Sequence, residues 1–103
     1  MRGEVYRLNA PRNAPGHEQA GSRYAVAVQS DDLPLSTLLV APTSTSARPA
    51  SFRPEVEIGG RPTLVLTEQT AAVDPTRLGA SIGQLTFDEL RRVEAALRLV
   101  LQL

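Results

Sequence analysis

Two stretches of the sequence concentrate the residues best suited to bind a phosphate. Residues 9–23 and 43–53 carry four arginines and the only histidine of the chain against a single acid, namely Arg12, Arg23, Arg48, Arg53, His17 and Glu18. Arginine keeps its charge and presents a planar fork of donors that fits a phosphate. All 11 basic residues are arginine, which could equally reflect a codon bias. The clustering is more informative than the count, and it predicts a phosphate-binding surface.

Both stretches fall between predicted strands, so we expect them to be loops carried by a sheet. Polar and apolar residues alternate over 4–8, as in a half-buried strand. Further short apolar or alternating runs predict strands over 24–29, 37–41, 55–58, 63–67 and 81–85. Pro42 is expected to end the third strand, and Gly59-Gly60 predicts a hairpin turn between the next two.

The C-terminal third predicts helical structure. Asp74 and Pro75 favour a single helical turn over 75–78, which Gly79 would end. Thr86 and Glu89 fit a capping box at the start of a helix. Apolar residues then recur at helical spacing, at Leu90, Val93, Leu97, Val100 and Leu101. The expected fold is therefore mainly β, a small barrel of short antiparallel strands with a C-terminal α-helix.

Composition limits the possible classes of protein. A chain of 103 residues fits one domain, spanning 1–103. It has no apolar run long enough to span a membrane and no apolar signal core at its start, so we expect a cytoplasmic protein. The lack of cysteine and the single histidine exclude disulfides, cysteine-based zinc sites and histidine-rich metal sites, but not carboxylate sites. A net charge of +0 argues weakly against nucleic-acid binding.

Five segments, in order, resemble the MazF/PemK (Kid-like) toxins. Residues 16–23, Gly-His-Glu-Gln-Ala-Gly-Ser-Arg, resemble the Gly-x-Glu-Gln-x-Gly-x-Arg loop of that family, which is its most specific motif here. Weaker matches lie at residues 2–6 (Arg-Gly-Glu-Val-Tyr), 40–44 (Val-Ala-Pro-Thr-Ser), 65–69 (Val-Leu-Thr-Glu-Gln) and 82–85 (Ile-Gly-Gln-Leu). Three residues depart from the family pattern: Tyr6 stands for tryptophan, Tyr24 for proline and Glu68 for aspartate.

The resemblance implies a fold and an activity. The fold would be an SH3-like barrel, shared with the gyrase poison CcdB. The activity would be sequence-specific, metal-independent cleavage of RNA, with no cofactor, by the toxin of a type II toxin–antitoxin system. In such a reaction the ribose 2′-hydroxyl attacks the adjacent phosphate and leaves a 2′,3′-cyclic phosphate and a 5′-hydroxyl. The protein must accept one proton, donate another and stabilise charge on the phosphate.

The family's catalytic positions fall on Glu18, Arg23 and Thr43. Arg23 would mainly stabilise charge and Thr43 would donate through its hydroxyl. Glu18 is the expected base, with His17 as the alternative because histidine titrates near neutrality. Each of these residues could instead be an ordinary loop or turn residue. The residues assigned to substrate binding are His17, Gln19, Ser44, Arg48 and Arg53.

The implied partners are single-stranded RNA, a cognate antitoxin protein and a second copy of the chain. No membrane is expected as a partner, and DNA only through the antitoxin. Two other readings compete with this one: a CcdB-like module that poisons gyrase, and a catalytically silent SH3-like interaction domain. The Gly-x-Glu-Gln-x-Gly-x-Arg segment has no purpose in a gyrase poison, and retention of all three catalytic residue types argues against a silent domain.

Overall fold

The computed structural model describes residues 1–9 and 23–103, and this part of the chain is mainly β-structure. Its strands are β1 (Glu4–Leu8), β2 (Arg23–Ala27), β3 (Leu38–Ser44), β4 (Glu55–Ile58), β5 (Arg61–Val65), β6 (Ala71–Val73) and β7 (Leu78–Gln84). Two short 3₁₀ turns, Thr67–Gln69 and Pro75–Arg77, precede β6 and β7, and one helix, α1 (Phe87–Leu101), ends the chain. The mainly β fold with a C-terminal helix is thus confirmed.

The strands form one curled antiparallel sheet. Their order is β4-β5-β3-β2-β1-β7, and β6 pairs with the N-terminal half of β3. The hairpin predicted from Gly59-Gly60 joins β4 to β5. Both glycines have positive φ, +60° and +80°, which an L-residue adopts only at a cost. This hairpin projects beside the end of β3, where the groove described below is found.

Two apolar clusters hold the sheet together. The larger one lies between the sheet and α1, with Val26, Val65 and Val93 fully buried at its centre. The smaller one contains Ala25 from β2, Val40 from β3 and Val73 from β6. Neighbouring residues of β2 therefore belong to different clusters, so this strand is buried on both faces. That burial fixes the strand that begins at Arg23.

Helix α1 begins as the sequence predicts. The Glu89 amide donates to the Thr86 hydroxyl at 3.1 Å, and the Thr86 amide donates to the Glu89 carboxylate at 2.9 Å. Leu90 and Leu97 pack with Val93 against the larger cluster. The apolar stripe is not covered along its whole length, since Val100 and Leu101 are exposed by 37% and 59%.

Two local predictions were wrong, and one strand was missed. Pro42 does not end its strand, because β3 continues to Ser44. On one edge β3 pairs with β6 over residues 38–40 and with β5 over residues 43–44, so Pro42 falls where a residue without an amide hydrogen is tolerated. Gly79 does not end the helical turn; it lies inside β7. Strand β6 was missed because Ala71–Val73 has only three residues, too few to show a period.

No helix in residues 1–9 and 23–103 is both long and apolar enough to cross a membrane.

Candidate functional site

An open groove of about 870 Å³ lies where β2 begins and β3 ends. These strands run antiparallel with Ala25 opposite Pro42, which brings the start of β2 beside the end of β3. Arg23, the first residue of β2, and Thr43, the sixth of β3, both line the groove. The structure therefore brings two of the three predicted catalytic residues to one surface.

Thr43 is held firmly within the groove. The residue is only 9% exposed, and its hydroxyl donates to the backbone carbonyl of Tyr24 at 2.9 Å. This bond joins β3 to β2 immediately after Arg23. The Thr43 hydroxyl thus has a fixed position, with its hydrogen bond directed to a backbone acceptor.

Tyr24, which departs from the family pattern, also helps to position Arg23. Its half-buried side chain packs against the larger core cluster. The guanidinium of Arg7 on β1 lies 5.7 Å from the centre of its ring, within the range of a cation–π contact. The tyrosine therefore anchors the start of β2 by packing.

The groove has a basic lining in the part of the chain that is described. Arg23 on β2 and Arg61 on β5, the two strands that flank the end of β3, both line it and are exposed. None of the described lining residues is an aspartate or glutamate. Among these described residues positive charge is therefore in excess, and such an excess attracts an anion. The net charge of +0 is therefore a poor guide to this surface.

Ser44 and Arg48, both predicted to contact substrate, have different surroundings. Ser44 lines the groove, and its hydroxyl oxygen accepts from the amides of Ser46 and Ala47 at 3.1 and 2.9 Å. These hydrogen bonds stabilise the turn that follows β3. Arg48 is exposed outside the groove lining, further along the same connection.

Arg53, also predicted to contact substrate, is engaged with Glu68. Its Nε and Nη2 atoms donate to one carboxylate oxygen of Glu68 at 3.0 and 2.6 Å. The hydrogen bond to the guanidinium holds the pKa of the Glu68 carboxyl below its usual value, and the same bond raises the pKa of Arg53. Both side chains are charged at neutral pH.

Arg61 and Gln69 are among the groove residues that sequence reasoning missed. Arg61 follows the Gly59-Gly60 turn, and Gln69 ends the first 3₁₀ turn; both line the groove. The double glycine did signal the hairpin, so the position of Arg61 at its tip could have been found. No local sequence pattern indicated that this hairpin and Thr43 line the same groove.

The remaining predicted residues, His17, Glu18 and Gln19, lie outside the described residues, as does Arg12. Among residues 1–9 and 23–103, no group of three or more acidic or histidine side chains is arranged to hold a metal ion.

Residues 1–101 match the profile of a family described as PemK-like, MazF-like toxins of type II toxin–antitoxin systems. The chain belongs to this family. It is also 41% identical over 97 residues to a toxin candidate from Mycobacterium tuberculosis (strain ATCC 25618 / H37Rv), a match that covers 93% of this chain and 92% of the other. The family assignment thus rests on sequence along nearly the whole chain.

Solved structures agree on the fold. MazF from Deinococcus radiodurans superimposes with a TM-score of 0.77 at 22% identity, covering 99% of this chain and 96% of that one. An endoribonuclease from mycobacterial species, solved in complex with its cognate antitoxin, gives a TM-score of 0.76 at 17% identity, covering 100% and 95%. The MazF/PemK chain described here therefore has the architecture of those toxins.

Proposed function

We propose that this MazF/PemK-family protein is a sequence-specific endoribonuclease that cleaves single-stranded RNA without a metal ion or other cofactor. By cutting RNA it would inhibit translation and growth. The observation that carries the proposal is the groove in which Arg23 and Thr43 lie together, lined by a second arginine and by no described acid. A similarly folded mycobacterial protein is described as an endoribonuclease, which agrees with the proposal.

The charges in the groove suit a phosphodiester as substrate. In the transition state of transesterification, extra negative charge develops on the phosphate oxygens. A preorganised cation stabilises that charge more in a protein groove than in water. Arg23 is exposed at the start of a strand whose last three residues are buried, so a well-packed strand carries this groove residue. We assign charge stabilisation to Arg23.

The Thr43 hydroxyl would act on the same phosphate. In the structure it donates to the Tyr24 carbonyl. When RNA is bound, it would exchange this bond for one to a non-bridging phosphate oxygen. Because the backbone of β3 is paired on both sides near Thr43, little conformational entropy is lost in this exchange.

The base belongs to the segment 10–22, outside the described residues. We assign it to Glu18, following the Gly-x-Glu-Gln-x-Gly-x-Arg motif. His17 and Gln19 would contact substrate from the same segment, and Ser44 and Arg48 from the connection after β3. The reaction would leave a 2′,3′-cyclic phosphate on one fragment and a 5′-hydroxyl on the other.

The proposed partners follow from the family and the surface. A similarly folded endoribonuclease was solved with its cognate antitoxin. We propose that this chain also has an antitoxin, whose acidic or amphipathic segment lies in the arginine groove and excludes RNA. We further propose a cytoplasmic homodimer that contacts DNA only through the antitoxin.

A nuclease assay tests the function. Purified protein is incubated with RNA and with DNA of the same sequence, in the presence of EDTA. We expect cleavage of RNA alone, at a defined motif. If RNA remains intact while DNA gyrase is inhibited, the protein is a gyrase poison and the proposal is wrong. If neither activity is found, the domain is catalytically silent and the proposal is equally wrong.

A further inference from the structure

Arg53 is tied to another part of the protein in a way that does not suit a phosphate contact. We propose that Arg53 and Glu68 form a positioning pair that fixes one wall of the groove, and that Arg53 does not touch RNA. The groove wall is defined here as residues 44–46 together with Gln69. This inference rests on the proposed function, because the wall affects cleavage only if RNA binds in the groove.

All three nitrogens of the Arg53 guanidinium already donate to the protein. Nε and Nη2 both bind one oxygen of Glu68, and Nη1 binds the backbone carbonyl of Arg48 at 3.1 Å. The Arg53 and Glu68 side chains are only 22% and 26% exposed. Bidentate recognition of a phosphate requires a free edge with two parallel donors. The Nε/Nη2 edge of Arg53 is taken by Glu68, so Arg53 could offer this edge to a phosphate only by giving up that contact.

The pair joins two segments that both end in the groove wall. Arg53 lies at the end of the connection that starts with residues 45 and 46, and Glu68 directly precedes Gln69. The Thr67 hydroxyl ties the same segments a second time, since it donates to the Phe52 carbonyl. On the other side, the Leu66 amide donates to the Pro42 carbonyl at 2.8 Å. The pair is therefore one of several contacts that join the two wall segments to each other and to the strand that carries Thr43.

Breaking the pair would leave a charged group without its partner. The second carboxylate oxygen of Glu68 is buried and has no hydrogen-bond partner among residues 1–9 and 23–103. Without Arg53, the Glu68 carboxylate would have to turn towards water, and the 3₁₀ turn that carries Gln69 would move with it. A displacement of about 1 Å near a reacting group can reduce a rate by roughly 100-fold.

Three variants test the pair: Arg53→Gln, Glu68→Gln and the double variant, each removing charge while keeping a similar length. Arg98→Gln is the matched control, because Arg98 is an exposed arginine on α1. We would measure kcat/KM for RNA cleavage and the salt dependence of Kd for RNA with a 2′-deoxy scissile nucleotide. Backbone amide exchange at residues 44–46 and 69 reports the wall without RNA.

If the pair positions the wall, each single variant loses roughly tenfold or more in kcat/KM. The double variant is then no worse than the more damaged single variant, because both changes break one contact. Amide exchange at the wall rises in all three, the salt dependence stays that of the wild type, and Arg98→Gln matches the wild type in every measurement.

A direct RNA contact gives the opposite pattern. Arg53→Gln would then reduce the slope of log Kd against log salt by about 0.7, the value for one phosphate of a single strand. Glu68→Gln would cleave as well as the wild type or better, since it frees Arg53. Either result, or unchanged amide exchange at the wall, overturns the inference. A wild-type protein that leaves RNA intact refutes the proposed function instead, and amide exchange still decides whether the pair holds the wall.

Discussion

Replacing Thr43 with valine removes one hydroxyl and keeps the shape of the side chain. The lost bond, from Thr43 Oγ1 to the Tyr24 carbonyl at 2.9 Å, is almost buried. A hydrogen bond of this kind contributes about 1 kcal/mol to stability. In a domain of this size, that lowers Tm by roughly 4–8 °C. A protein stable by about 5 kcal/mol would still have only about one molecule in a thousand unfolded after the change.

The expected loss of activity is much larger than unfolding could explain. Removing one preorganised donor from a charged transition state typically reduces kcat by about 10²–10³, equivalent to about 2.7–4 kcal/mol. We therefore expect Thr43→Val to be folded and to cleave RNA at least about 100-fold more slowly. Thr43→Ser keeps the hydroxyl and should retain most of the activity.

The assay combines initial rates on a short RNA with thermal unfolding followed by circular dichroism. Thr86→Ala is the control for stability. It removes the N-cap hydroxyl of α1, far along the chain from Thr43, and should cost about 1 kcal/mol. Its cleavage rate at 25 °C should equal that of the wild type. Near-normal cleavage by Thr43→Val, with only the expected loss of stability, would show that the hydroxyl serves only the contact between β2 and β3.

Three further outcomes are expected. If Glu18 is the base, the cleavage rate rises with pH through an acidic pKa. Glu18→Gln then removes this rise, and His17→Ala changes little. A rise near pH 6–7 would instead assign the base to His17. The hydrogen bond from Arg53 lowers the pKa of Glu68, so the stability that the pair contributes is present at neutral pH and is lost as pH falls through the lowered value. The Tm difference between wild type and Glu68→Gln should therefore shrink towards zero in acid, and a difference that persists there would contradict the pair. Sedimentation should show a dimer at micromolar concentration, and a monomer would contradict the proposed assembly.

Patterns within a few residues were enough to predict most of the elements. The capping box at Thr86 and Glu89 and the double glycine at residues 59–60 each determine a local conformation, and both predictions are confirmed. The strand β6 and the continuation of β3 through Pro42 depend on pairing between distant segments. Sequence alone predicted that Pro42 ends β3, because proline cannot donate a backbone hydrogen bond. It could not show that Pro42 falls between the residues of β3 that pair with β6 and those that pair with β5.

In the candidate site, too, the sequence motif predicted some residues, while others depend on contacts between distant segments. The family motif placed Arg23 and Thr43 in the site, and the structure finds both in one groove. The pairing of Arg53 with Glu68, 15 residues further along the chain, left no periodic signal. From the sequence alone, Arg53 was therefore treated as an isolated loop arginine and assigned to substrate binding. Arg61 was overlooked because its approach to the groove depends on the curl of the sheet.

The chemistry of the cleaved ends tests the central claim most directly. An RNA with one cleavage site is incubated with the purified protein in EDTA, beside the same RNA with a single 2′-deoxy substitution at the scissile nucleotide, and products are identified by mass spectrometry. Because the ribose itself is the proposed nucleophile, we expect a 2′,3′-cyclic phosphate and a 5′-hydroxyl from the first RNA, and no cleavage of the second. A 3′-hydroxyl with a 5′-phosphate would instead indicate an activated water as the nucleophile and would contradict the account.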